Sequence, residues 1–72
     1  MSNHTYQITE VVGSSSDGTD QAIKNALERV AQTVRNLEWF EMVSTRGVID
    51  DSGQVEHFQV TLRVGFKVED AS

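Results

Sequence analysis

Leu37-Glu38-Trp39-Phe40-Glu41 is where the chain changes character, from apolar residues spaced by three and four to apolar residues spaced by two. It contains the only tryptophan beside one of three phenylalanines. Side chains alternate along an extended backbone, so consecutive aromatics at the start of a strand point to opposite faces. One ring can then fill a core while its neighbour meets something else.

Before this stretch, Ala22, Ile23, Ala26, Leu27, Val30, Ala31, Val34 and Leu37 form one apolar stripe, with Lys24, Glu28, Arg29, Gln32 and Arg35 off it. The spacing predicts one apolar stripe on a helix of about five turns. Its alanines keep the stripe shallow enough to sit close on a sheet. Asn36 suits the helix end because asparagine tolerates the left-handed conformation. Residues 6–12, rich in β-branched side chains, predict a first strand. The run Gly13-Ser14-Ser15-Ser16-Asp17-Gly18 is expected to end that strand and start the helix, with Ser16 or Asp17 as N-cap and Asp20 in the first turn. A phosphate cradle is the competing reading of this loop, but the spacing fits no phosphate-binding fingerprint and two aspartates in its mouth would repel an anion.

After the stretch, residues 39–49 and 54–69 predict two further strands around Asp50-Asp51-Ser52-Gly53, whose acidic and glycine residues are those of a hairpin turn. In the last strand Phe58, Val60, Leu62, Val64, Phe66 and Val68 alternate with His57, Gln59, Thr61, Arg63, Gly65 and Lys67. Even positions are expected to meet the helix and odd ones to form a polar face. A turn that pairs Ile49 with Gln54 puts Arg46 opposite His57 and beside Gln59, unless a bulge intervenes. The expected fold is α+β: β-α-β-β, a three-stranded antiparallel sheet packed on one helix, as one domain over residues 1–72 with a polar N-terminal segment (1–5) and a short tail (70–72).

Composition narrows the function. Eleven acidic against six basic residues give a net charge of −5, which argues against nucleic acid or an anionic membrane as partner. Polar opening residues and the lack of a long apolar run predict neither signal peptide nor membrane helix, and so a cytoplasmic protein. With no cysteine there is no disulfide and no thiolate metal site. A core this small rarely supplies more than about 3–5 kcal/mol unaided, and long strands leave open edges, so self-association is the expected remedy.

Catalysis is hard to assemble from these residues. Ser44 and His57 are the candidate nucleophile and base across the hairpin, with no orienting acid, and the glutamates lack paired spacing; no enzyme is expected. Binding is easier. Trp39 offers a stacking plate, Gln59 an amide donor and acceptor, and Arg46 a planar fork of donors, a set suited to a planar heteroaromatic ligand with imide-like edges. The plainer alternative has Trp39 in a subunit interface, Gln59 on a neighbour's backbone and Arg46 paired with Glu41 or another subunit's acid.

Leu37-Glu38-Trp39-Phe40-Glu41, Arg46-Gly47, Phe58-Gln59-Val60 and Val64-Gly65-Phe66-Lys67-Val68, with Val12-Gly13-Ser14-Ser15 before the helix, together resemble the bacterial dodecins over about residues 4–69. The resemblance implies a hollow dodecamer of β-α-β-β subunits that binds and stores flavin without turnover. It implies that Trp39 stacks on the isoalloxazine ring, in flavin pairs sandwiched between symmetry-related tryptophans, that Gln59 bonds the pyrimidine-like edge and that Arg46 lies near the flavin. FMN is the first expectation because a cationic site suits a phosphate, with riboflavin and FAD as alternatives; some such proteins also hold coenzyme A. Lys67 departs from the arginine often found at its place and keeps the charge without the fork. The rivals are a structural assembly protein without flavin and a small flavin-dependent reductase.

Overall fold

A computed structural model describes residues 4–68. The elements run β1 (Tyr6–Ser15), α1 (Thr19–Ala31), β2 (Leu37–Ile49) and β3 (Val55–Lys67). All pairing is antiparallel and the strand order is β1-β3-β2, so the last strand is central and the helix connects the two edges. This is the expected β-α-β-β fold. Residues 1–3, the expected strand end at Glu69 and the tail 70–72 lie outside the described residues.

The core sits where α1 crosses β1 and β3. Ala22 and Ala26 meet Val60, Leu62 and Val64, with Val11, Ile23, Leu27 and Leu37 packed around them. Leu62 is the largest fully buried side chain, and such a residue contributes about 1.5–3 kcal/mol by leaving water. Even positions of β3 do meet the helix at 60, 62 and 64, while Phe58 and Phe66 are half-buried and Val68 is exposed. Phe40 faces the helix side opposite Val64, as parity requires, yet stays 45% exposed because α1 lies over β1 and β3 and leaves β2 uncovered.

Three local expectations change. Gly13 does not end β1; the strand continues to Ser15 because β3 supplies partners as far as Phe58. The glycine is instead a contact point: a Cβ there would fall 2.6 Å from the Ala26 Cβ and nearer still to the Ala22 carbonyl oxygen. Its absence lets the shallow helix stripe touch the strand, and the Asn25 amide donates across the same seam to the Ser14 carbonyl at 3.1 Å. The N-cap is Gly18, at φ 139°, with no side-chain cap. Ser15 Oγ instead accepts from the Asp17 backbone N–H at 2.9 Å, tightening the loop before the helix; Asp20 does stand in the first turn.

The helix has 13 residues, about 3.6 turns rather than five. Beyond Ala31 the chain turns, with the Thr33 and Val34 amides bonded back to the Val30 carbonyl. Asn36 takes the left-handed conformation expected of it (φ 64°), five residues past the helix end, and its carbonyl accepts from the Lys67 N–H at 3.0 Å. Leu37 keeps the apolar spacing because, as the first residue of β2, it packs on the same core, not because it is helical.

The hairpin turn forms as expected. Gly53 has φ 86°, and Asp50 Oδ1 accepts from Ser52 N (2.9 Å), Ser52 Oγ (2.7 Å) and Gln54 N (3.0 Å). These bonds, that from the Ser52 hydroxyl foremost, hold the Asp50 carboxyl below its ordinary value.

Candidate functional site

The register between β2 and β3 slips three times, between Leu37 and Trp39, between Met42 and Ser44, and between Val48 and Ile49. Each slip leaves one residue without an opposite number: Glu38, Val43 and Glu56. A bulge shifts the alternation by one, so residues two apart change sides. Leu37 accordingly opposes Phe66 on the helix side, while Trp39 opposes Gly65 on the other. Glu38 is what turns the indole outward.

On that outward face the strands line up in rungs. Ile8, Gly65 and Trp39 form one; Glu10, Arg63 and Glu41 the next; then Val12, Thr61 and Ser44; then Ser14, Gln59 and Arg46. Trp39 lies against the Gly65 backbone: a Cβ at position 65 would fall 2.7 Å from its Cδ2 and nearer still to Cε2 and Cζ2. One ring face is therefore seated, and the side chain remains 42% exposed. The seat is a residue the sequence reading missed. Glycine inside a strand is itself the signal that something approaches closely.

Arg46 stands directly opposite Gln59, not opposite His57, which faces Val48. Two one-residue shifts moved it: Ile49 pairs with Val55 rather than Gln54, and the slip at Glu56 adds the second. No hydrogen bond or ion pair engages Arg46 among the described residues, and its expected partner Glu41 opposes Arg63, which contacts Glu10 at 3.5 Å. Trp39 does not join Arg46 and Gln59. Their rungs are six residues apart along β3, about 20 Å, further than a fused three-ring heterocycle reaches. A fused ring system stacked on Trp39 therefore does not also lie on the Arg46–Gln59 rung of the same chain.

Ser44 opposes Thr61, four residues along β3 from His57, roughly 13 Å; the pair does not face across the hairpin, and no nucleophile–base contact forms between them. Among the described residues no group of three or more metal-ligating side chains comes together, and no helix is long and apolar enough to cross a membrane. A cavity of about 360 Å³ lies at the other end of the sheet, bordered by Gln7, Arg35, Asn36 and Lys67 among others, away from Arg46 and Gln59.

Residues 5–69 match the family model described as Dodecin. The chain is 45% identical over 65 residues to the dodecin of Thermus thermophilus, covering 90% of this chain and 93% of that protein. Among solved structures, dodecin from Streptomyces coelicolor is 58% identical with a TM-score of 0.91, covering 99% of this chain and all of that one. Dodecin from Streptomyces davaonensis is 52% identical with a TM-score of 0.90, over 96% of this chain and all of that one.

Proposed function

Since the chain belongs to the dodecin family, we propose that it binds and stores flavin, FMN first and riboflavin or FAD second, in crevices built by several copies of a hollow dodecamer. The observation that carries this reading is Trp39: its indole lies against the Gly65 backbone and is 42% exposed, on the side of the sheet away from the helix. Such a plate accepts a flat π system, and indole is the best of the aromatic donors.

Assembly is favoured by the surface the single chain leaves open. It exposes 5410 Å², whereas size scaling gives about 4,450 Å² for a monomeric protein of 8.0 kDa. Tyr6, Ile8, Val12 and Trp39 on one face, with Phe40, Met42 and Val43 on β2, are all more than 40% exposed. Apolar area of this extent in a soluble chain marks an interaction surface. With roughly 20 Å between Trp39 and the Arg46–Gln59 rung, this reading takes the stacking plate and the edge-reading groups of one site from different copies. Binding then stabilises assembly, because a ligand held only by the oligomer shifts the equilibrium by mass action.

In this arrangement Gln59 orients the ligand through its amide, and Arg46 supplies positive charge near it. A bound flavin would supply light-driven one-electron oxidation, and Trp39 would be the electron-rich side chain that holds it and quenches its excitation. The role is storage with photoprotection and no turnover. Coenzyme A is a second ligand that the family resemblance suggests.

Native mass spectrometry of protein purified without denaturation tests assembly and ligand together; twelve subunits carrying flavin masses are expected. A colourless assembly would favour the purely structural role, and NAD(P)H oxidation at catalytic rates would favour a reductase. Trp39→Ala is expected to lose most of the affinity and restore flavin fluorescence. Unchanged quenching in that variant would overturn the stacking assignment.

A further inference from the structure

The third bulge has a consequence for the Arg46–Gln59 rung. Val48 pairs with His57 and Ile49 with Val55, so Glu56 has no opposite residue. An extra residue in one strand re-aims its side chain, and here Glu56 Oε1 comes within 3.0 Å of His57 Nδ1. The imidazole is 28% exposed and the carboxylate 58%. His57 lies two residues from Gln59, and Val48 two residues from Arg46, steps of about 7 Å each. Glu56, one residue beyond His57, is thus three residues along β3 from the Gln59 that faces Arg46, about 10 Å, the scale of one Debye length.

The groups around this pair can be enumerated. Across on β2 lie Val48, without charge, and Arg46; in the turn lie the acidic Asp50 and Asp51, Asp50 held below its ordinary carboxyl value by its bonds from Ser52 and Gln54. Pairing with β1 ends at Ser15 opposite Phe58, so no titratable β1 residue opposes His57, and α1 packs on the other face.

We propose that Glu56 and His57 set the discrimination between phosphate-bearing and neutral flavins, a role that rests on the flavin-binding reading above. With His57 uncharged, the Glu56 carboxylate offsets Arg46, and a phosphate ester gains little over a hydroxyl. Protonated His57 closes an ion pair with Glu56 and leaves the Arg46 charge to the phosphate. Histidine makes this change between about pH 5 and 8. Neutral riboflavin feels neither state.

The test is fluorescence titration of FMN and of riboflavin at low salt, at pH 5.5 and 8.0, with the native protein, Glu56→Gln and His57→Gln. At pH 8.0 Glu56→Gln is expected to raise the FMN-to-riboflavin affinity ratio about threefold, the scale of a surface charge pair. On acidification the native ratio should rise about threefold relative to that of His57→Gln, which carries the titration of the FMN phosphate itself (pKa about 6) as an internal reference. Equal ratios in all three proteins, with both flavins still quenched, overturn the assignment of Glu56 and His57 alone. Absence of quenching by either flavin in the native protein overturns the flavin reading and this proposal with it.

Discussion

Replacing Gly65 by alanine adds one methyl group at the back of the stacking plate. A Cβ there would lie 2.7 Å from Trp39 Cδ2, whereas carbon atoms rest at about 3.5–4.0 Å, so the ring must retreat by roughly 1 Å or more. In a closed core such overpacking costs about 1–3 kcal/mol. Here the side chain is 42% exposed and can swing away, so the stability loss should fall at or below the lower end of that range. The loss should appear in binding instead. Stacking of a flat heterocycle on an aromatic side chain is worth about 1–3 kcal/mol, and 1.4 kcal/mol is tenfold in affinity; a displaced plate should forfeit about tenfold. Flavin fluorescence titration reads the affinity, and thermal unfolding of the apoprotein reads the stability. An alanine variant that binds and quenches flavin like the native protein would refute the argument that the Gly65 backbone seats the indole.

Gly13→Ala meets a closed contact, against the Ala22 carbonyl and the Ala26 Cβ, where neither neighbour is a flexible chain end. It should lower stability by about 1–3 kcal/mol or more, seen as a clear drop in melting temperature, and should do so without a specific effect on quenching. Asp50→Asn should lower the melting temperature at neutral pH by weakening the bonds to Ser52 and Gln54. Because the folded carboxyl sits below its unfolded value, its stabilisation is full above the ordinary carboxylate range and is lost as pH falls through the folded value. The gap between variant and native protein should therefore close in acid, and a pH-independent gap would contradict it. Glu10→Gln removes an exposed partner of Arg63 at 3.5 Å, and thermal unfolding should register at most about 0.5 kcal/mol, the ordinary scale of a surface ion pair.

The sequence by itself determined the element order, the helix face built on Ala22 and Ala26, the Asp50–Gly53 turn and the inward set Val60, Leu62 and Val64. These are local matters: periodicity, turn chemistry and the alternation of a strand are written in neighbouring residues. It also singled out Trp39, Arg46 and Gln59 by residue type and, through the family resemblance, by place. Where strand β1 ends was not legible, because a glycine that breaks a turn and a glycine that admits a helix look alike until the partner is known. Nor was the end of α1, since Val34 in the connection and Leu37 at the start of β2 keep the helical spacing. The faces of β2 were decided only in three dimensions. Each bulge is a contest between the pairing of two strands and the burial of their side chains, and it is settled by which partner every residue finds across the sheet. That contest placed Leu37 inward and Trp39 outward, helped move Arg46 onto Gln59, brought Glu56 beside His57, and left Trp39 about 20 Å from the Arg46–Gln59 rung.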